Sequence, residues 1–299
     1  MGTSTAYGGP SGRDPLVPSW LGGDGDDAPP GGPPDVKSDN QGPPAGPNGA
    51  PPPQAAPPAP PQQPIPPAAN PNRYTGPRGN FTRFARSGGT DHASVCRAVS
   101  QYVSSSAGGS RQAAQRMGTS RAAGARLVGF LADAQTRGAL EALRTLNLEA
   151  LAGRPLPEIL IGLADHVCPG AGTVDEGIAR EAYVETVVEM TTSGITDLGA
   201  LTQNQMLTVF EIYATHAIEA RICNDIGLKA VTMPSDAQAA LRVEAQLRDF
   251  VRNGVSDALA NARTRGSVIA SDRIQGFVDQ VYEDAFRFLH ARGEAEGDQ

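Results

Sequence analysis

The chain has 299 residues, of which 39% are hydrophobic, and carries a net charge of −7; soluble domains usually hold about 45–50% apolar residues. No apolar run approaches the ~20 residues of a membrane span, and no basic-then-apolar leader follows Met1, so a cytoplasmic protein without membrane contact is expected. The only lysines, Lys37 and Lys229, stand outside any G-x-x-x-x-G-K-[ST] context, which excludes P-loop phosphate chemistry.

In chain order, residues 1–21 (MGTSTAYGGPSGRDPLVPSWL) form a terminal peptide that holds the single tryptophan, Trp20, with Tyr7 and the Leu16-Val17 pair. Residues 22–72 are low-complexity, with runs such as PPPQAAPPAPPQQPIPP at 51–67. Proline fixes φ and removes backbone donors, so this stretch is expected to be a disordered, partly polyproline II spacer that spans roughly 40 Å. Without a flanking basic anchor, it makes a poor SH3-type ligand. Residues 73–90 read as a basic aromatic arm, in which NFTRFARSGG (80–89) interleaves Phe81 and Phe84 with Arg83 and Arg86.

Beyond that arm, apolar residues recur at three- and four-residue intervals, the helical period. The clearest stripe is Ile274, Phe277, Val278, Val281, Tyr282, Ala285, Phe286 and Leu289, with Asp279, Glu283, Asp284 and Arg287 on the other face. The pattern predicts helices near 91–106, 110–138, 139–147, 156–167, 174–193, 203–226, 236–265 and 272–292. Thr173 with Glu176, Thr202 with Gln205, and Ser235 with Gln238 fit the capping box. Gly194, Gly227, Gly266 and Gly293 stand where left-handed caps would fall. The expected fold is an all-α bundle of about seven to eight helices over 91–293, behind the disordered Pro/Gly-rich N-terminal region and followed by a disordered tail, 294–299.

Chemistry is sparse. Cys96, Cys168 and Cys223 form no C-x-x-C pair, and buried reduced thiols are expected. His92 with Cys96, His166 with Cys168, and His216 with Glu219 and Cys223 stand at spacings that metal ligands use. A zinc site built from them needs two distant fragments to meet, so no metal, no cofactor and no catalytic residue is expected. In THAIEARICND (215–225), Glu219, Arg221, Asn224 and Asp225 crowd one end of an apolar helix. They read as an internal ion-pair network, with a partner surface as the alternative.

Between Arg73 and Arg126 stand nine arginines against one acid, Asp91, whereas 127–299 holds fourteen basic and twenty-five acidic residues. Arg111, Arg116, Arg121 and Arg126 are five apart, which turns each by about 500° on a helix, so they do not line one groove. Arg83, Arg86, Arg111 and Arg116 remain candidates for contact with an acidic protein surface or with nucleic acid.

At the terminus, Gly2 follows the initiator Met1, and Ala6 breaks the myristoylation motif. Thr3, Ser4 and the turn-forming Tyr7, Gly8, Gly9 and Pro10 precede Leu16, Val17, Pro18 and Trp20, which have the character of a groove anchor. The blocks MGTSTAYGGPSG, PLVPSW, NFTRFARSGG, GTSRAAGARL, ALAGRPLPEI, VDEGIARE and THAIEARICNDIG resemble the QatB proteins of the bacterial Qat anti-phage defence system. The resemblance runs from the first residue to about Leu289, interrupted by the linker. It implies a non-enzymatic component that works with an ATPase, a TatD-like nuclease and a QueC-like enzyme related to deazaguanine synthesis. In related operons such an enzyme joins a deazaguanine base to a partner's N-terminal glycine. By that analogy Gly2 is the acceptor, and Thr3 to Trp20 is the docking peptide. The rival expectation is a nucleic-acid-binding adaptor that presents phage DNA to the nuclease. An enzyme ranks third.

Overall fold

A computed structural model describes residues 72–170, 172–227, 231, 233–265 and 273–297. The chain divides into two compact units between Gln63 and Pro64, and every described residue belongs to the second. The terminal peptide and the expected spacer lie outside the described residues, except for Asn72. Among the described residues there is no strand, and no helix is long and apolar enough to cross a membrane.

Among the described residues eleven α-helices follow one another: α1 (Thr75–Arg86), α2 (His92–Gln101), α3 (Ser110–Gln115), α4 (Gly118–Arg137), α5 (Ala139–Arg144), α6 (Leu156–Gly162), α7 (Ala164–Val167), α8 (Val174–Met190), α9 (Gln203–Ile226), α10 (Ala237–Thr264) and α11 (Ile274–Gly297). The all-α expectation holds. Starts follow local chemistry. Thr173 Oγ1 accepts from Glu176 N at 3.2 Å while Glu176 Oε2 accepts from Thr173 N at 2.9 Å. Thr202 and Gln205 repeat the arrangement on α9. The third expected box, Ser235 with Gln238, does not form, and the cap of α10 falls one residue later. Asp236 caps α10, its carboxylate accepting from both Gln238 N and Ala239 N. Gly227, at φ 74°, closes α9 in the left-handed conformation. Asn147 closes α5 the same way, with Leu148 N bonded to Leu143 O and Asn147 N to Arg144 O.

The core gathers around α9, which buries fourteen residues spread over all its faces, as a helix enclosed by others must. It packs against α4, α8 and α10. Its Phe210 ring meets Phe277 at 5.9 Å and Tyr282 at 6.4 Å, both from α11. Gly124 of α4 lets the Phe210 and Tyr213 rings come close, since a Cβ there would stand 3.2 Å from each. Tyr213 Oη then donates to Ser120 O at 3.0 Å.

Several expectations need correction. The arm at 73–90 contains helix α1. Phe81 and Phe84 lie three apart on its inner face, fully buried, while Arg83 and Arg86 stay exposed. Pro77 sits in the first turn, where it removes no intrahelical bond, so it does not stop the helix. The helix expected over 110–138 breaks between Gln115 and Gly118, that over 156–167 between Gly162 and Ala164, and 102–106 is π-helical. Helix α11 continues past Gly293 to Gly297, into the expected tail. Gly293 is a contact glycine rather than a cap. A Cβ there would stand 2.6 Å from Cys96 O and 2.8 Å from Ser100 Cβ, so its missing side chain lets α11 cross α2 backbone to backbone.

Gly293→Ala is therefore expected to cost about 1–3 kcal/mol by overpacking. Gly177→Ala in α8, where a Cβ meets nothing within 4 Å, is expected to be neutral or to gain up to about 1 kcal/mol. Denaturant midpoints of the two variants check this, and equal shifts would contradict it.

Candidate functional site

The second half of α9 brings several ionisable groups together in the described core. His216, 5% exposed, places Nε2 3.0 Å from Glu189 Oε2 of α8 and Nδ1 3.8 Å from Glu219 Oε2. Glu189 accepts from Arg252 Nη2 of α10 at 2.7 and 2.9 Å, and Glu219 accepts from Arg248 Nε at 2.9 Å. Burial lowers the His216 pKa against the raising effect of Glu189, and burial raises that of Glu219. An ionised carboxylate only accepts, so the neutral ring's proton belongs on Nε2, facing Glu189.

One turn further on, Arg221 pairs with Asp175 of α8 and, at 3.3 Å, with Asp225. Asp225 Oδ2 accepts from Tyr102 Oη at 2.9 Å and from Tyr74 Oη at 3.1 Å. Glu219, Arg221 and Asp225 are thus tied internally, as the network reading expects. Beside them opens a cleft of about 340 Å³ rimmed by Glu181, Glu185, Glu219 and Glu244, with Arg248 as its one guanidinium and Phe81 and Leu247 in its wall. Four carboxylates against one arginine favour a cationic occupant over a phosphate. Cys223 also lines the cleft, but burial first and Glu219 next push its thiol well above the ordinary range. Burial likewise lifts Cys168 to about 11, and burial with Glu296 lifts Cys96 to about 12. All three thiols are held protonated, the opposite of an activated nucleophile.

The expected ligand pairs fare differently. His166 is exposed on α7, while the buried Cys168 Sγ points to Ala179 O at 3.6 Å. His92 and Cys96 do meet, with Cys96 Sγ 3.4 Å from His92 Nδ1, and Glu296 of α11 joins them. Glu296 and Glu189 are among the site residues that sequence reasoning missed, as are Asp175, Arg248 and Arg252. Glu296 stands 200 positions from Cys96, and Glu189 stands 27 and 63 positions from its two partners. No local spacing signals such pairs.

The basic stretch turns largely inward. Arg116 donates to Tyr74 Oη at 3.2 Å, Arg121 to Asp279 at 2.8 Å, and Arg126 to Val167 O at 2.8 Å. Arg83, Arg86 and Arg111 stay exposed. Gly2, Thr3, Ser4, Tyr7, Gly8, Gly9, Pro10, Leu16, Val17, Pro18 and Trp20 lie outside the described residues.

The buried imidazole has a measurable consequence. Its folded pKa lies below the ordinary ~6.5, so protonation favours the unfolded chain. The contribution is complete above about pH 6.5 and is lost as pH falls from there toward the folded value. His216→Gln keeps a donor for Glu189 and removes the titration. Wild-type stability is expected to fall more steeply than the variant's from about pH 7.5 to about pH 5.5 in denaturant titrations; parallel curves would contradict the assignment.

No curated protein and no solved structure matches the chain. A family model described as the Qat anti-phage system associated protein QatB matches residues 108–289, more than half of the sequence, from just before α3 to Leu289 in α11. The chain belongs to the QatB family and is a component of the Qat anti-phage system.

Proposed function

We propose that the chain is a non-enzymatic scaffold and protein substrate of this defence system, and that a QueC-like partner conjugates a deazaguanine base to the Gly2 α-amine. The observation that carries this reading is the order of the sequence: Met1-Gly2, then a peptide with the only tryptophan, then some fifty residues rich in proline and glycine. A small second residue favours removal of the initiator Met. The freed α-amine has an ordinary pKa of about 7.7–8.0, so a nucleophilic fraction exists at neutral pH. The amine nitrogen attacks an activated carboxyl carbon of the base, an amide bond forms, and the leaving group and a proton depart. The partner supplies the activation. Tyr7, Gly8, Gly9 and Pro10 form the turn and Leu16, Val17, Pro18 and Trp20 the anchor that seat the peptide in that partner. The ATPase and the TatD-like nuclease are the other expected partners. The internal pairing of His216 with Glu189 supports a body that contributes shape rather than covalent chemistry.

The second reading, an adaptor that delivers phage DNA, keeps Arg83, Arg86 and Arg111 as exposed cations, whereas Arg116 is committed to Tyr74. It requires salt-sensitive DNA binding that is lost when these arginines are replaced.

Gly2→Pro, or a tag fused ahead of Gly2, is expected to abolish protection against phage while the chain still accumulates in cells. Full protection with a blocked terminus would overturn the proposal.

A further inference from the structure

The structure assigns His92, Cys96 and Glu296 as the ligands of a single transition-metal ion, with Zn²⁺ the best fit. His92 and Cys96 lie one turn apart on α2, and Glu296 lies near the end of α11. Three donor atoms converge: Cys96 Sγ stands 3.4 Å from His92 Nδ1 and 3.6 Å from Glu296 Oε2, and His92 Nδ1 stands 3.8 Å from that same oxygen. Tetrahedral zinc, with bonds of about 2.0–2.3 Å, holds such donors about 3.3–3.6 Å apart. The triangle needs only a small contraction to close on an ion.

The direction in which the groups point separates this from a Cys-His-acid proton relay. In a relay the carboxylate bonds the imidazole nitrogen remote from the thiol, which makes a line. Here the carboxylate oxygen faces the same nitrogen as the thiol and also faces the sulfur, so all three aim at one point. An imidazole nitrogen, a thiolate and a carboxylate are each metal ligands, and a cation at that point would satisfy all three together. Nitrogen, sulfur and oxygen donors in one set suit zinc better than the hard Mg²⁺ or Ca²⁺.

The surroundings hold the donors in place. Glu296 Oε1 lies 3.9 Å from Arg292, itself paired with Asp257 at 2.8 Å, which leaves Oε2 for the metal. Arg97, next to Cys96, donates to the Gly297 carbonyl and fixes the last turn of α11. The Phe250 ring stands edge-on to the His92 imidazole at 6.3 Å. Gly293 permits the close crossing that brings Glu296 within reach. Cys96 is fully buried, whereas the His92 and Glu296 side chains are 51% and 36% exposed. The fourth tetrahedral position therefore faces outward, open to water or to a donor from a partner. As the Zn–S bond forms, the Cys96 thiol gives its proton to solvent. All three ligands lie outside the residues matched to the family model.

The test uses the full chain, stripped with chelator, reloaded with Zn²⁺ or Co²⁺ and dialysed. About one equivalent of zinc per chain should remain, and the cobalt form should show thiolate-to-metal charge-transfer absorption in the near ultraviolet. Cys96→Ser should abolish that band, and Glu296→Gln should weaken affinity at least about tenfold. Cys223→Ser should change neither, and circular dichroism confirms that each variant stays helical. Failure of the wild-type chain to retain zinc, or a charge-transfer band that survives Cys96→Ser, would overturn the assignment.

Discussion

The burial of α9 is the constraint from which the arrangement of the described residues follows. Where α9 is enclosed by α4, α8 and α10, a polar side chain such as His216 or Glu219 is cut off from water, and an unpaired buried charge is costly. His216, Glu219, Arg221 and Asp225 therefore each require a partner from a neighbouring element. Glu189 and Asp175 come from α8, Arg248 and Arg252 from α10, and the phenols of Tyr74 and Tyr102 from the N-terminal end of the domain. These pairings fix how each helix sits against α9 along its length. They also draw α1 into the domain, since Arg78 donates to Ile226 O at the end of α9.

Much of the fold was legible because its signals are local. The apolar stripe from Ile274 to Leu289, the two threonine capping boxes and the left-handed Gly227 all work within a few residues, and each stands where the pattern puts it. What misled was local chemistry that admits two uses. Glycine ends helices, but at Gly293 it serves a helix crossing that depends on Cys96 and Ser100, nearly two hundred residues earlier. Arginine interleaved with phenylalanine suits contact with a protein surface as well as with nucleic acid, and here Phe81 and Phe84 pack into the core and leave their arginines outside. The His92-Cys96 spacing was visible as a half-site. Its third member could not be, because only the packing of α11 on α2 brings Glu296 to it.

Two kinds of chemistry thus divide the chain. The family match covers most of the helical body, in which His216, Glu219, Arg221 and Asp225 are paired internally. The features that resemble a recognition and modification peptide lie at the far N-terminal end, from Gly2 to Trp20. Under the proposed function, the long Pro/Gly-rich stretch between them separates the helical body from the terminus that the partner enzyme would modify.

The most direct measurement is the mass of the N-terminal peptide from protein purified with and without its operon partners. An adduct on Gly2, present only when the partners are co-expressed, is the expected result. An unmodified glycine in both samples would contradict the substrate role, and would shift attention to the exposed arginines of α1 and α3.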